Sequence, residues 1–269
     1  TSFGSNPCMR PNISTKNLNN GKSIKEEIFK KITNKYEILE ITYKGILIGD
    51  LLYDTYLKSK KNPTINLKSK EFNIFVIDFF SLCDFWIDYF DNNKVKTVIT
   101  SHSVYSYAIP LRVAIDRNID AFGCTSRHII KLNKEQPRMH ANTKVYKKIF
   151  NNLDKNSQKN GILKAKKILD ARIQGDISTN AGFFGNVKVS PFNKIKINSE
   201  ITQNDKIKIL ILPHDFFDAV HIYGNSIFPD FYEWLNFLGN YSKRNKNYNW
   251  YIKLRPDYKG KYVHFHKMT

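Results

Sequence analysis

Residues 95–124 constrain the fold more than any other stretch of the chain. A β-branched run (95–100) is followed by the turn Ser101-His102-Ser103, a helically periodic segment (105–117) and a second short apolar run (120–124). Strand, turn, helix and strand at these lengths make a βαβ unit, whose right-handed crossover packs a helix onto a parallel sheet. The expected fold class is therefore α/β. A Rossmann-like parallel-sheet domain comes first, and the start of a second Rossmann-like domain follows it.

The flanking segments extend that pattern. Residues 24–36 are helical in period, residues 36–41 are a short apolar stretch leading to Gly45-Ile46-Leu47-Ile48-Gly49, and residues 51–60 form another helical segment ended by Asn62-Pro63. Residues 72–90 are apolar on nearly every side, as in a long helix buried between layers. Residues 144–153 and 161–173 read as two surface helices. Residues 174–204, rich in Gly, Pro, Ser and Asn, read as a linker or long loop. A second alternation then begins with an apolar run at 207–212 closed by Pro213, an amphipathic helix over 228–244 and a strand over 250–254. The division expected is an amino-terminal domain over 1–174, a linker over 175–204 and a carboxy-terminal domain over 205–269. One βαβ unit cannot bury both faces of its sheet, so the second domain is expected to be incomplete or unusually small.

The formal charge of +19 on 269 residues would ordinarily point to nucleic acid or an anionic surface. The excess is mostly lysine and accompanies abundant Asn and Ile, a bias that AT-rich coding produces by itself. The aromatics lie in apolar helical segments, where core packing explains them better than base stacking. No specific nucleic-acid partner is expected, while the lysines suit a peripheral contact with anionic lipid. The start of the sequence lacks the order of a secretory signal. Cys8, Cys83 and Cys124 are too scattered for a disulfide framework, and no stretch is apolar enough to span a bilayer. The location expected is cytoplasmic, with peripheral contact at the inner face of the membrane.

Three clusters carry chemistry. The densest is Pro213-His214-Asp215-Phe216-Phe217-Asp218-Ala219-Val220-His221-Ile222-Tyr223-Gly224, directly after an expected strand. Loops beyond the carboxyl ends of parallel strands form the ligand crevice of open α/β sheets. His214, Asp218 and His221 have spacing that permits a metal site. Cysteine ligands and an HExxH pattern are lacking, so the expected site is metal-free. The alternatives are an ordered turn in which the histidines bond backbone, or a polar loop facing a ligand. The second cluster, Lys253 and Arg255 at another strand end, suits a diphosphate, or else is a pair of solvated edge charges. The third is Ser101-His102-Ser103, where the absence of GxSxG argues against a hydrolase and leaves His102 as the opposite wall of a cleft. No GxGxxG fingerprint, Walker loop or CxxC pair is present, and no cofactor is expected.

His214, Asp218-Ala219, His221, Gly224, Phe228, Asp230-Phe231, Glu233-Trp234 and the strand Asn249-Trp250-Tyr251-Ile252-Lys253 resemble bacterial capsule and surface-polysaccharide biosynthesis glycosyltransferases. Those enzymes carry an H-x-F-x-D-A-x-H-x-x-G loop, a D-[FY]-x-x-W helix and a W-x-x-K-x-H-P strand end. The likeness includes Gly49-Asp50-Leu51-Leu52-Tyr53-Asp54-Thr55-Tyr56 and Thr100-Ser101-His102 leading to Arg112. It implies the GT-B arrangement of two facing Rossmann-like domains, with a nucleotide-sugar donor and a glycan or lipid-linked acceptor. It further implies catalytic roles for His214, Asp218 and His102, and diphosphate or substrate contacts for His221, Lys253 and Arg255. Arg255 stands where the family has a histidine, and residues 257–269 do not resemble the family, so the donor domain is expected to be a fragment. The competing expectation is a non-catalytic or degenerate module that binds glycan or nucleic acid.

Overall fold

The computed structural model describes residues 10–125, 128–140, 143–174, 201–202, 204–224 and 226–253. The chain divides into two compact units, one made of Thr1–Ala141 with Lys206–Thr269 and the other of Asn142–Asp205. These boundaries differ from the division expected at residues 175–204: packing groups the later strands with the amino-terminal helices.

In the larger unit, helix α1 (Thr15–Phe29) begins in a capping box between Ser14 and Asn17, and runs through residues that lack a clear apolar stripe. It is held by close approach to α4 (Lys70–Asn92): a Cβ on Gly21 would lie 2.3 Å from the Ser81 hydroxyl oxygen. The Asn17 and Asn20 amides donate to Asp84, at 3.0 and 2.7 Å. Asp84 also accepts from the Tyr43 hydroxyl and Lys44. Burial raises its pKa, but these donors outweigh burial and bring it to about 2. Polar fastening of this kind explains why the helix begins well before the apolar period at 24–36. That expected single helix is two, α1 and α2 (Lys35–Leu39).

Strands β1 (Thr42–Tyr43) and β2 (Ile46–Leu47) form a hairpin whose turn residues, Lys44 and Gly45, both have positive φ. Helix α3 (Gly49–Lys60) follows, with Leu51, Leu52, Tyr53, Tyr56 and Leu57 in the core. A Cβ on Gly49 would stand 1.9 Å from the Ile38 carbonyl oxygen, so only glycine lets α3 begin against α2.

The βαβ expectation holds. Strand β3 (Thr97–Thr100) pairs in parallel with β4 (Asp120–Cys124), Thr97 opposite Asp120, and α5 (Ile109–Asp116) makes the crossover. Strand β5 (Ile129–Leu132) adds antiparallel to β4, making a mixed sheet of order β3-β4-β5. Strands β6 (Ile207–Ile211) and β7 (Tyr248–Ile252) pair in parallel as a separate sheet, connected through α8 (Phe231–Arg244). Among the described residues the fold is thus mixed α/β with small sheets, two of which contain parallel pairs.

The second unit contains α6 (Thr143–Asn151) and α7 (Lys155–Ile173), close to the two helices expected there. Most of the 174–204 segment lies outside the described residues. Among the described residues no helix is long and apolar enough to cross a membrane.

Candidate functional site

The loop after β3 and the loop after β6 meet at Asp218. The Tyr105 hydroxyl donates to its carboxylate at 2.8 Å and the Lys58 ammonium, from the end of α3, does so at 2.7 Å. Tyr105 and Ala219, on the two sides of this junction, both have positive φ, 58° and 50°. Left-handed backbone at two non-glycine residues persists only where the surroundings over-determine it. Burial raises the Asp218 pKa, but Lys58 and Tyr105 outweigh it and hold the group below the usual carboxylate range. In the same turn burial, helped by the charge of Asp218, raises Asp215 above that range, against the Phe217 amide that bonds it. Two carboxyl groups of one turn are thus driven apart in acidity, the arrangement that separates acid from base roles.

His214 is exposed at this turn. Its Nδ1 lies 3.2 Å from the Asp215 carbonyl oxygen, an atom that only accepts, so Nδ1 carries the proton and Nε2 keeps the lone pair in the neutral ring. His221 is 4% exposed and differently engaged. Its Nδ1 meets the Asp54 carboxylate at 2.6 Å and its Nε2 meets the Pro229 carbonyl at 3.0 Å, while its backbone amide donates to the other Asp54 oxygen at 3.1 Å. Burial opposes charge on the ring, but Asp54 outweighs it and the His221 pKa is raised; burial likewise raises Asp54. Both directions describe one event, the pair retaining its shared proton. Directly after Pro229 a second anchor repeats the pattern of α3 binding the loop: Asp230, 1% exposed, accepts from the Tyr53 hydroxyl at 2.6 Å and caps α8 by accepting from the Glu233 amide at 2.8 Å.

A third polar group lies at the amino-terminal end of α3. Asp50 accepts from Arg112 at 2.7 Å and from Arg138 at 2.6 and 3.0 Å, all on Oδ2. Burial raises the Asp50 pKa, but the two guanidinium groups outweigh it and keep the carboxylate below its ordinary range. Arg138 is placed by its neighbour, since the Met139 amide donates to the buried Ser103 hydroxyl at 3.0 Å. Asp50, Arg138 and His221 line a cleft of about 600 Å³, bounded by α2 and the loop through Gly224.

Of the residues singled out from sequence, His214 and Asp218 share one turn, and Tyr105 ties that turn to the loop bearing His102. His102 is exposed just beyond β3, with Nδ1 2.8 Å from the Ser101 hydroxyl. Burial, helped by the charge of His102, lowers the pKa of His140. Lys253 is exposed immediately after β7, its amide donating to Ile211 at 2.9 Å, so β6 and β7 deliver the His214 loop and Lys253 from one sheet edge. Arg255 lies outside the described residues. His221 faces Asp54 in the interior, and His214, Asp218 and His221 do not assemble as a metal-ligand set. Among the described residues no group of three or more His, Cys, Asp or Glu is arranged to hold a metal ion. Sequence reasoning missed Lys58, Tyr105 and Arg138, while Asp215 lay within the cluster it singled out. Asp50 and Asp54 had a visible signal, two carboxylates four residues apart on an apolar helix.

No protein family matches the chain, and no curated protein or solved structure is significantly similar to it.

Proposed function

We propose that the protein is a glycosyltransferase that moves a sugar from a nucleotide-sugar to a growing bacterial surface glycan, in a GT-B-like arrangement. The observation that carries the proposal is the presentation of His214: Nδ1 is committed to the Asp215 carbonyl, and the ring is exposed where the β3 and β6 loops join. In the proposed step Nε2 takes the proton of an acceptor hydroxyl as its oxygen attacks the anomeric carbon. The bond from that carbon to the diphosphate oxygen breaks, and the diphosphate leaves with the electron pair. Asp218, fixed as a carboxylate by Lys58 and Tyr105, stabilises the imidazolium that forms. Lys253, at the adjoining strand end, offsets charge on the departing diphosphate, with Arg255 in the same role. The motif likeness around residues 214–253 supports this chemistry, as does the position of the loops at the carboxyl ends of parallel strands.

The test is a panel of nucleotide-sugars assayed for binding and for transfer to lipid-linked or oligosaccharide acceptors. Transfer by the wild type is expected, with His214→Ala lowering turnover about 10²–10⁴-fold at unchanged melting temperature. Full turnover by His214→Ala would move the base elsewhere. Absence of nucleotide-sugar binding and of transfer would favour a non-catalytic glycan-binding module.

A further inference from the structure

The separate unit Asn142–Asp205 carries two helices that leave their apolar side chains uncovered. In α6, Tyr146, Ile149 and Phe150, with Leu153 just beyond the helix, follow an i, i+3, i+4, i+7 spacing that sets them on one face. They are 37–55% exposed. A helix of nine residues is marginal in water by itself and draws its stability from packing an apolar face against something. The face of α6 is instead open.

The turn after α6 is closely held. The Gln158 amide donates to the Asn151 and Leu153 carbonyls at 3.3 and 2.8 Å, and Asp154 accepts from the Ser157 amide at 2.9 Å at the start of α7. A Cβ on Gly161 would lie 3.9 Å from the Phe150 ring, so the apolar side of α6 adjoins the first turns of α7. There Ile162, and along the same side Leu169 and Ile173 at i+7 and i+11, are 56–59% exposed. The hairpin thus carries open apolar side chains along both helices.

Charge selects what covers them. Residues 146–170 include seven exposed lysines against two acids, Asp154 and Asp170. Lys147 flanks the apolar face of α6 and Lys148 lies opposite it. So basic a surface repels a second copy of itself. It matches an anionic bilayer, whose headgroups attract lysine while the acyl boundary takes up the apolar face. Lys159 and Lys166 share the Ile162 side of α7, and their apolar stems let that side sink while the ammonium groups stay at headgroup level. Neither helix is long and apolar enough to cross the bilayer, so the contact lies in the interface plane.

We infer that α6 and the start of α7 dock the protein on an anionic lipid surface, with Tyr146, Ile149 and Phe150 entering the headgroup–acyl boundary and the lysines pairing with lipid phosphates. Docking of this kind stands apart from the glycosyltransferase proposal: it needs neither His214 nor a nucleotide-sugar.

The experiment is co-sedimentation of the full chain with vesicles of phosphatidylcholine alone, or of three parts phosphatidylcholine to one part phosphatidylglycerol, at low salt. Binding to the anionic vesicles is expected, at least about tenfold tighter than to neutral ones and weakened by salt. Lys147→Gln and Lys148→Gln should each lower the partition coefficient about fivefold. Ile149→Ser combined with Phe150→Ser should lower it at least about tenfold, and all four changes, at exposed positions, should leave the melting temperature unchanged. Absence of binding to anionic vesicles overturns the inference, as does equal binding to neutral ones. Weakening by the glutamine variants alone, with full binding in the serine pair, would reduce the contact to surface adsorption and end the role of the apolar face. Full binding in every variant would put the contact elsewhere in the chain. A dimer in sedimentation velocity that the serine pair abolishes, with vesicle binding unaltered, would hand the face to a second copy. Displacement from vesicles by a short DNA duplex, whose own binding the serine pair leaves intact, would assign the lysines to nucleic acid instead.

Discussion

The two ends of the loop after β6 carry a histidine each, and the protein uses them in opposite ways. At the far end His221 is enclosed, with both ring nitrogens facing acceptors and its amide bonded to the same carboxylate. At the near end His214 commits one nitrogen to a neighbouring carbonyl, sets its ring 5.5 Å from that of Phe231 and remains exposed. A ring with both nitrogens engaged has no lone pair for a substrate; a ring with one engaged is aimed. Identity of residue type and closeness in sequence therefore say little about role, and the count of acceptors around each ring says much.

The contrast predicts graded losses of stability. His221→Ala should cost the most, about 3–5 kcal/mol, because it leaves Asp54 buried and uncompensated; urea melts would measure it, and a loss below about 1 kcal/mol would break the contrast. Tyr53→Phe should cost about 1–3 kcal/mol by removing a donor from buried Asp230. Tyr105→Phe should cost about 1 kcal/mol or less, since Lys58 still holds the half-exposed Asp218. His214→Ala should fall within about 0.5 kcal/mol of wild type. A destabilisation by His214→Ala equal to that of His221→Ala would show both rings to be anchors.

Acidity sharpens the same comparison. The folded pKa of His221 is raised, so the stability it contributes is fully present below its unfolded value, about 6.5, and is lost as pH rises through the higher folded value. Asp50 acts at the other limb: its folded pKa is lowered, so its contribution is present above the unfolded carboxylate value and fades as pH falls through the folded one. Melting temperature measured from pH 5 upward should decline on the alkaline side of about 6.5 in wild type. The decline should be shallower in His221→Gln, and an identical profile would assign it to other groups.

Much of the secondary structure was legible because its signals are local. The βαβ unit at 95–124 follows from strand and helix periods that need no knowledge of the rest of the chain, and β6 and β7 follow from runs of apolar residues. The β1–β2 hairpin escaped notice because two-residue strands have no measurable period, although Lys44-Gly45 is a turn pair. Strand β5 was hidden in a four-residue run, and α1 by its reliance on Asn17, Asn20 and Gly21 rather than on apolar spacing. The site was legible only in part. His214, Asp218 and His102 stand out by type and by position after strands, whereas the partners that distinguish His214 from His221 lie far away in the chain. Asp54 and His221 are 167 positions apart, and Tyr53 and Asp230 are 177 apart.

Those separations bear on how the molecule is made. During synthesis at about 5–20 residues per second, α3 waits roughly 8–30 s for the segment that supplies His221. Throughout that interval Asp54 lacks His221 and Tyr53 lacks Asp230, so the amino-terminal helices complete their polar interior only late. The intervening stretch, which includes the separate unit Asn142–Asp205, is the closed loop of this clasp. Because closure entropy grows only logarithmically, doubling that loop would cost about 0.6 kcal/mol. The 142–205 region is therefore where the gene can gain or lose length most cheaply, while a single residue at the clasp cannot be spared.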